Sequence, residues 1–301
     1  MEDLKNKIRE LAKEKNAVIL AHNYQRPEVQ DAADFVGDSL ELSIMARDTD
    51  ADIIVFCGVH FMAETAKILS PQKKVVMPRV DAGCPMADMV STEGLEAEKA
   101  KYPDFKVVTY VNSSAAVKAI SDACCTSANA VNVVRNIESD KILFVPDRNL
   151  GNFVSRFVQK QIICWKGFCP THERLKVEDI IRKKEAYPQA KVLVHPECRP
   201  EVVDISDRAL STSGIIKFCR EDDGQTYIIG TEEGILHRLK KENPQKTFIL
   251  ASDKLVCPNM KLTSIEDLYN ELLSLTNEVT VPDNTITAAR KALDRMYELA
   301  K

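Results

Sequence analysis

Ala17-Val-Ile-Leu-Ala-His22-Asn-Tyr24 is a short apolar run that ends abruptly in polar side chains able to do chemistry. The same event recurs in Lys106-Val-Val-Thr-Tyr110-Val-Asn112 and in Lys191-Val-Leu-Val-His195-Pro-Glu197. Each run follows a charged segment with helical spacing and reads as a buried strand. His22, Tyr110 and His195 are spaced 88 and 85 residues apart. The phase persists downstream, where Ser39, Ser127 and Thr212 each stand 17 residues further on. Next come Asp52–Phe56, Lys141–Val145 and Thr226–Gly230, strand-like runs that each lead into a helical pattern. Every unit then has a last strand-like run, a loop and a Cys-Pro pair: Cys84-Pro85, Cys169-Pro170 and Cys257-Pro258, spaced 85 and 88 apart. Four features in one order at a period of about 86 residues are a triplication, and such a repeat decides the whole fold.

Strands alternating with helices predict the α/β class: three homologous α/β/α units with small parallel sheets around a pseudo-threefold axis, the active site at the centre. The units span residues 1–86, 87–172 and 173–260. Residues 261–301 open like a fourth unit, since Ser264-Ile-Glu-Asp-Leu resembles Val177-Glu-Asp-Ile-Ile. Glu278–Pro282 reads as a strand and Thr285–Ala300 as an amphipathic helix, in a tail expected to pack back on the first unit. No Gly/Ser linker separates the units, so tight docking is expected.

The 301 residues are 45% hydrophobic and 29% charged, the balance of a soluble globular protein. A net charge of −4 leaves no domain-wide basic surface and argues against a nucleic-acid partner. The N-terminal stretch is charged and amphipathic with no apolar signal region, and no apolar run approaches the ~20 residues of a membrane span. No membrane role and a cytoplasmic location are therefore expected. Nine cysteines are an odd number in a chain too large to need disulfide staples. They point to metal or redox use.

In open parallel sheets ligands bind beyond the carboxyl ends of the strands, where the polar clusters, the hydroxyls and the Cys-Pro loops all fall. Cys84, Cys169 and Cys257 at equivalent loop positions predict one shared metal centre. Thiolates select iron–sulfur clusters, zinc or copper, and Cys before Pro occurs at ferredoxin-type cluster ligands. Three thiolates leave a cubane cluster with one open iron, able to act as a Lewis acid. Zinc on three cysteines and His172 is the competing reading. Cys57, Cys124, Cys125, Cys164, Cys198 and Cys219 read as structural. Ser39, Ser127 and Thr212 each stand where a strand turns into a helix. They are either N-caps or the donors of an anion pocket built on helix N-termini, suited to a dicarboxylate or a phosphate. His22, Tyr24, Tyr110, Asn112, His195 and Glu197 supply proton-transfer and hydrogen-bonding groups, with Glu197 expected as a general base whose pKa burial raises. Arg26, Arg148 and Arg199 follow strand ends and could touch an anion, though out of register. His60 and His237 read as structural.

These residues resemble a known family. His22-Asn-Tyr-Gln25, Gly37-Asp-Ser-Leu40, Tyr110-Val-Asn-Ser113, Thr126-Ser-Ala-Asn-Ala130, Pro146-Asp-Arg-Asn-Leu150, Val194-His-Pro-Glu-Cys198 and Ser211-Thr-Ser-Gly214, with the three Cys-Pro loops, are similar to the quinolinate synthase (quinolinate synthetase A) family in order and spacing from about Ala17 to Met260. The resemblance implies condensation of iminoaspartate with dihydroxyacetone phosphate to quinolinate, with loss of phosphate and two waters, in NAD biosynthesis. It implies a 4Fe–4S cluster on Cys84, Cys169 and Cys257, the fourth iron meeting the substrate. It places His22, Ser39, Ser127, Thr212, the run Tyr110-Val111-Asn112 and the run His195-Pro196-Glu197 on the iminoaspartate-derived part. Acid/base work falls to Tyr24, Tyr110 and Glu197, with His22 and His195 beside them. A hand-off of the imine from an aspartate oxidase or dehydrogenase is the partner it suggests. The alternatives are another iron–sulfur hydro-lyase acting on a small dicarboxylate, or a zinc-held scaffold.

Overall fold

Three parallel sheets of four strands carry the chain, which a computed structural model describes over residues 2–301. The first holds β1 (Ala17–His22), β2 (Phe35–Gly37), β3 (Ile53–Cys57) and β4 (Lys74–Val76). The second holds β5 (Lys106–Tyr110), β6 (Ala123–Cys125), β7 (Lys141–Val145) and β8 (Gln161–Cys164). The third holds β9 (Lys191–Val194), β10 (Arg208–Ala209), β11 (Thr226–Gly230) and β12 (Thr247–Leu250). All three share one spatial order, β2-β1-β3-β4, β6-β5-β7-β8 and β10-β9-β11-β12, as a triplication requires.

The central strands read as unbroken apolar runs because both sheet faces are covered. Leu20, Phe56, Val108, Phe144, Leu193 and Ile229 turn to one core shared by the three units. Their neighbours along the strands face the other way into separate cores: Ile19 and Val55, Val107 and Leu143, Val192 and Ile228. This is the period-2 alternation of a strand used twice over.

The short strands β2, β6 and β10 escape the sequence pattern because two or three residues cannot show a period. A repeated carboxylate pins them. Asp34, Asp122 and Asp207 accept the amides of Ile19, Val107 and Val192 at 2.8, 2.8 and 2.7 Å. Their own amides return to the carbonyls of the same three residues. Each Asp therefore clamps the first residue of an edge connection to the central strand and sets its register.

The tail forms no fourth unit. The helix Ile265–Ser274 packs against the helices Glu2–Glu14 and Pro27–Ala32 of the first unit. The helix Asp283–Leu299 lies mainly against the helix Ala115–Ala119 and β6 of the second, where the sequence places the whole tail on the first. Glu278–Pro282 is not a strand. Glu278 makes a single antiparallel bridge to Val76, and the Val279 amide donates to Val75 O at 2.8 Å. Pro282 then stands at the N-cap position of the next helix and has no amide to continue a ladder.

Candidate active site

His22 and Tyr110 are the last residues of β1 and β5, and His195 follows β9 directly. The carboxyl ends of the three sheets thus deliver their polar residues to one cavity, lined from all three units. Its free volume is about 90 Å³. One water needs about 10–15 Å³ on that measure, so the cavity suits a small organic acid and no polymer. Among the described residues, no lysine or arginine lines it.

Twelve of the fourteen predicted site residues meet there: His22, Tyr24, Ser39, Tyr110, Asn112 and Ser127, then His195, Glu197, Thr212 and the three cysteines Cys84, Cys169 and Cys257. Val111 and Pro196 are buried behind the wall, as strand-end alternation sends their side chains away. Arg26, Arg148 and Arg199 stay outside. Arg148 pairs with Glu173 at 2.8 Å, Arg199 with Glu201 at 2.5 Å, and Arg26 donates to Lys261 O at 2.8 Å. Glu232 on the cavity wall escapes the sequence reading. It stands two residues past β11, as Asp147 stands two past β7, a phase signal present in only two units.

Glu197 organises the polar half. Tyr110 Oη donates to its Oε1 at 2.6 Å, and His172 Nδ1 lies 2.7 Å from Oε2. His172 Nε2 is 2.8 Å from Thr231 Oγ1, which is 2.5 Å from Tyr24 Oη; Thr212 Oγ1 holds the other side of that hydroxyl at 2.9 Å. His195 stacks on His172 with ring centroids 4.7 Å apart and reaches Ser127 Oγ with Nε2 at 3.2 Å. His172 is therefore more than a reserve metal ligand: it joins the Glu197 and Tyr24 ends of the network.

Burial opposes the charge on Glu197, but His195, His172 and the hydrogen bonds from His172 and Tyr110 outweigh it and hold the carboxyl below the usual carboxylate range. This corrects the expectation of a raised pKa, which weighed burial without the donors. Burial pushes His22 and His195 down to about 3, each aided by a neighbouring histidine, so both rings are neutral at pH 7. Burial, then the nearby Glu197, pushes Tyr24 and Tyr110 well above the ordinary phenol, so both keep their protons until a partner takes them.

The cysteine loops share one construction. Each Cys-Pro opens a single helical turn: Ala87–Met89, Pro170–Glu173 and Asn259–Lys261. Burial raises all three thiols, Cys84 to about 12, and backbone amides two or three residues on act against it. Those amides belong to Met86 and Ala87 for Cys84, His172 for Cys169, and Asn259 and Met260 for Cys257. Amide donors at a helical start favour a thiolate, and N–H groups near a ligand sulfur tune cluster thiolates. Three such sulfurs on one cavity fit a metal cluster; coordination would deprotonate them outright. Cys169, His172 and Glu197 also offer donor atoms within 4.8 Å of one another, compatible with one metal ion.

The capping reading of the hydroxyls fails at the helix starts. Asp38, not Ser39, caps the helix Ser39–Asp48, accepting the amides of Leu40 and Glu41. Ser211, not Thr212, caps the helix Thr212–Glu221, accepting from Gly214. Asn129 stands at the N-cap of Ala130–Asn136 and accepts from Thr126, leaving Ser127 to His195. The three hydroxyls are free to face the cavity. Alanine at Ser39 or Thr212 is therefore expected to spare the ~1 kcal/mol that a lost cap costs. It should weaken a bound dicarboxylate roughly 10- to 100-fold, the worth of one hydrogen bond to a charge. Calorimetric titration beside thermal melting checks this; lowered melting with unchanged affinity returns both residues to a structural role.

Fold and site define an α/β enzyme of three repeats that closes a thiol-lined pocket at its centre. The comparisons with known proteins agree. The model of the family described as Quinolinate synthetase A protein matches residues 6–298. Proteins named quinolinate synthase from Pelobacter propionicus, Geotalea uraniireducens and Caldicellulosiruptor saccharolyticus are 59%, 57% and 54% identical to this chain. The matches cover 99–100% of this chain and 98–99% of the relatives. The chain belongs to the quinolinate synthetase A family. No helix among the described residues is long and apolar enough to cross a membrane.

Proposed function

We propose that this enzyme condenses iminoaspartate with dihydroxyacetone phosphate to quinolinate, releasing phosphate and two waters, as a step of NAD biosynthesis in the cytoplasm. The supporting observation is the placement of Glu197 between Tyr110 Oη and His172 Nδ1, on the same cavity as three thiols. Cys84, Cys169 and Cys257 would hold a 4Fe–4S cluster, which when bound supplies a Lewis acid for a substrate oxygen.

The chain's own residues do the rest. Ser39, Ser127 and Thr212 bind carboxylate oxygens through hydroxyls in a pocket without cations. Neutral His22 and His195 donate or accept there without adding charge. Enolisation needs a base within hydrogen-bond reach of an acidic C–H; Glu197 takes that proton on a carboxylate oxygen. Tyr24 Oη, held between two threonine hydroxyls, returns a proton to a departing hydroxyl, which leaves as water. Apolar Phe61, Met62 and Met86 on the cavity wall limit the water that would hydrolyse the imine. Imine lability also makes direct supply by an aspartate oxidase or dehydrogenase part of the proposal.

The test is an anaerobic assay of cluster-reconstituted protein with iminoaspartate generated in place and dihydroxyacetone phosphate. Quinolinate and phosphate are expected to form one to one. Hydration or dehydration of a dicarboxylate with no phosphate release would establish the hydro-lyase alternative instead.

A further inference from the structure

Tyr24 belongs to the first unit, yet both hydroxyls that hold its Oη, Thr212 and Thr231, belong to the third. Something must fix the loop after β1 against the third unit to that tolerance. Lys261 Nζ donates to Tyr24 O at 2.7 Å and pairs with Glu232 Oε1 at 2.9 Å. The Glu232 side chain is 1% exposed and that of Lys261 15%. Glu232 also accepts the amide of Gly234 at 2.7 Å and the amide of Cys257 at 3.1 Å. Arg26 Nε donates back to Lys261 O at 2.8 Å. The backbones touch as well, since a Cβ on Gly234 would lie 2.7 Å from Tyr24 Cα.

We propose that Glu232 and Lys261 are a positioning pair that locks the catalytic loop of the first unit to the Cys257 loop of the third, so that metal ligation at Cys257 seats Tyr24. The inference rests on the function proposed above. A buried ion pair is poor evidence for stability by itself, because desolvation offsets much of its attraction. Here the two charges are spent on backbone groups: the carbonyl of Tyr24 on one side, the amide of a cluster ligand on the other. One carboxylate and one ammonium thus connect the metal site to the hydroxyl that must face the substrate. An apolar pair of the same size could fill the volume but could not hold either backbone group.

That difference supplies the test, made on anaerobically reconstituted holoenzyme. Lys261→Met leaves Glu232 buried and unpaired. It is expected to melt lower, lose iron to a chelator faster than wild type, and turn over about 10²-fold more slowly, the scale of a one-ångström misplacement, with KM little changed. Glu232→Gln combined with Lys261→Met removes the stranded charge. This double variant is expected to recover only part of the melting temperature, because the amide has one oxygen for the two backbone amides of Gly234 and Cys257, and not to recover kcat, because Tyr24 O still lacks its donor. A double variant that recovers kcat along with melting overturns the proposal, as does a Lys261→Met protein that holds iron and turns over like wild type. Should Lys261→Met not fold, Arg26→Gln, exposed and outside the buried pair, removes the tie to Lys261 O; kcat equal to wild type there overturns the proposal equally. Wild-type protein that neither binds iron nor forms quinolinate would overturn the proposed function instead.

Discussion

Alanine at Cys84, Cys169 or Cys257 is expected to strip the reconstituted protein of its iron and of its activity. Alanine at Cys57, Cys124, Cys164 or Cys219 is expected to leave both largely intact. The chemistry is the same in every case, one thiol removed, so geometry alone makes the difference. The first three cysteines line one cavity from three units, and nearby backbone amides act against the burial that raises each thiol. Cys57, Cys124 and Cys219 are buried in apolar cores, and Cys164 ends an edge strand beside Gly151. There a cysteine is a small hydrophobe, and its loss costs on the order of 1 kcal/mol of stability. Iron and sulfide counts per chain with the visible spectrum separate the two groups. Full iron in any one of the three ligand variants would falsify the shared centre.

The legible parts of this fold are those where one residue type recurs at one phase. β1, β5 and β9 announce themselves because burial on both faces keeps their interiors apolar, except at Thr109, whose hydroxyl is paired with Ser121. Their terminal His22, Tyr110 and the adjacent His195 stand out for the same reason: a polar group follows where the apolar run must stop. The three cysteines share a loop position and so are visible as a set. Asp34, Asp122 and Asp207 recur at the same interval, but a lone Asp between helix and strand looks like any turn residue. Its bond to a strand amide exists only after folding. The hydroxyls illustrate the opposite difficulty. Ser39 and Thr212 occupy the residue after the cap, and a shift of one position exchanges a helix-stabilising group for a ligand-facing one. Boundaries are seldom readable to one residue.

Docking partners were the least legible of all. The amphipathic pattern of Asp283–Leu299 shows that one face must be covered, but period alone does not say by what. The helix settles on the second unit, where Ala115–Ala119 and β6 offer an apolar surface beside it. The cations mislead in a similar way. Arg26, Arg148 and Arg199 follow strand ends, the right neighbourhood for an anion, yet each is satisfied outside the cavity. The pocket instead presents the hydroxyl-bearing Ser39, Ser127 and Thr212. Asp38, the one acid next to Ser39, spends its charge on the amides of Leu40 and Glu41 and on the hydroxyl of Ser213.

Glu197→Gln is expected to keep the fold and the metal yet slow turnover about 10²–10⁴-fold, the usual worth of a general base. Size is preserved, and the neighbours can adapt to the amide. If its NH₂ faces Tyr110, the phenol turns to accept while donating elsewhere. If it faces His172, the ring carries its proton on Nε2, donates to Thr231 and accepts at Nδ1. No buried donor need stay unpaired, so the large penalty for an unsatisfied group does not apply. What the variant lacks is an oxygen able to take a proton. In the native site, burial works against the carboxylate, but the hydrogen bonds from His172 and Tyr110 help hold it below the usual carboxylate range, so an acceptor stands ready at neutral pH. Single-turnover formation of quinolinate, measured beside iron content and melting temperature, checks the expectation. Native turnover would reject Glu197 as the base. Iron lost in step with the rate would place Glu197 among the metal ligands, as its nearness to Cys169 and His172 also allows, and would move the proton-accepting role elsewhere in the network.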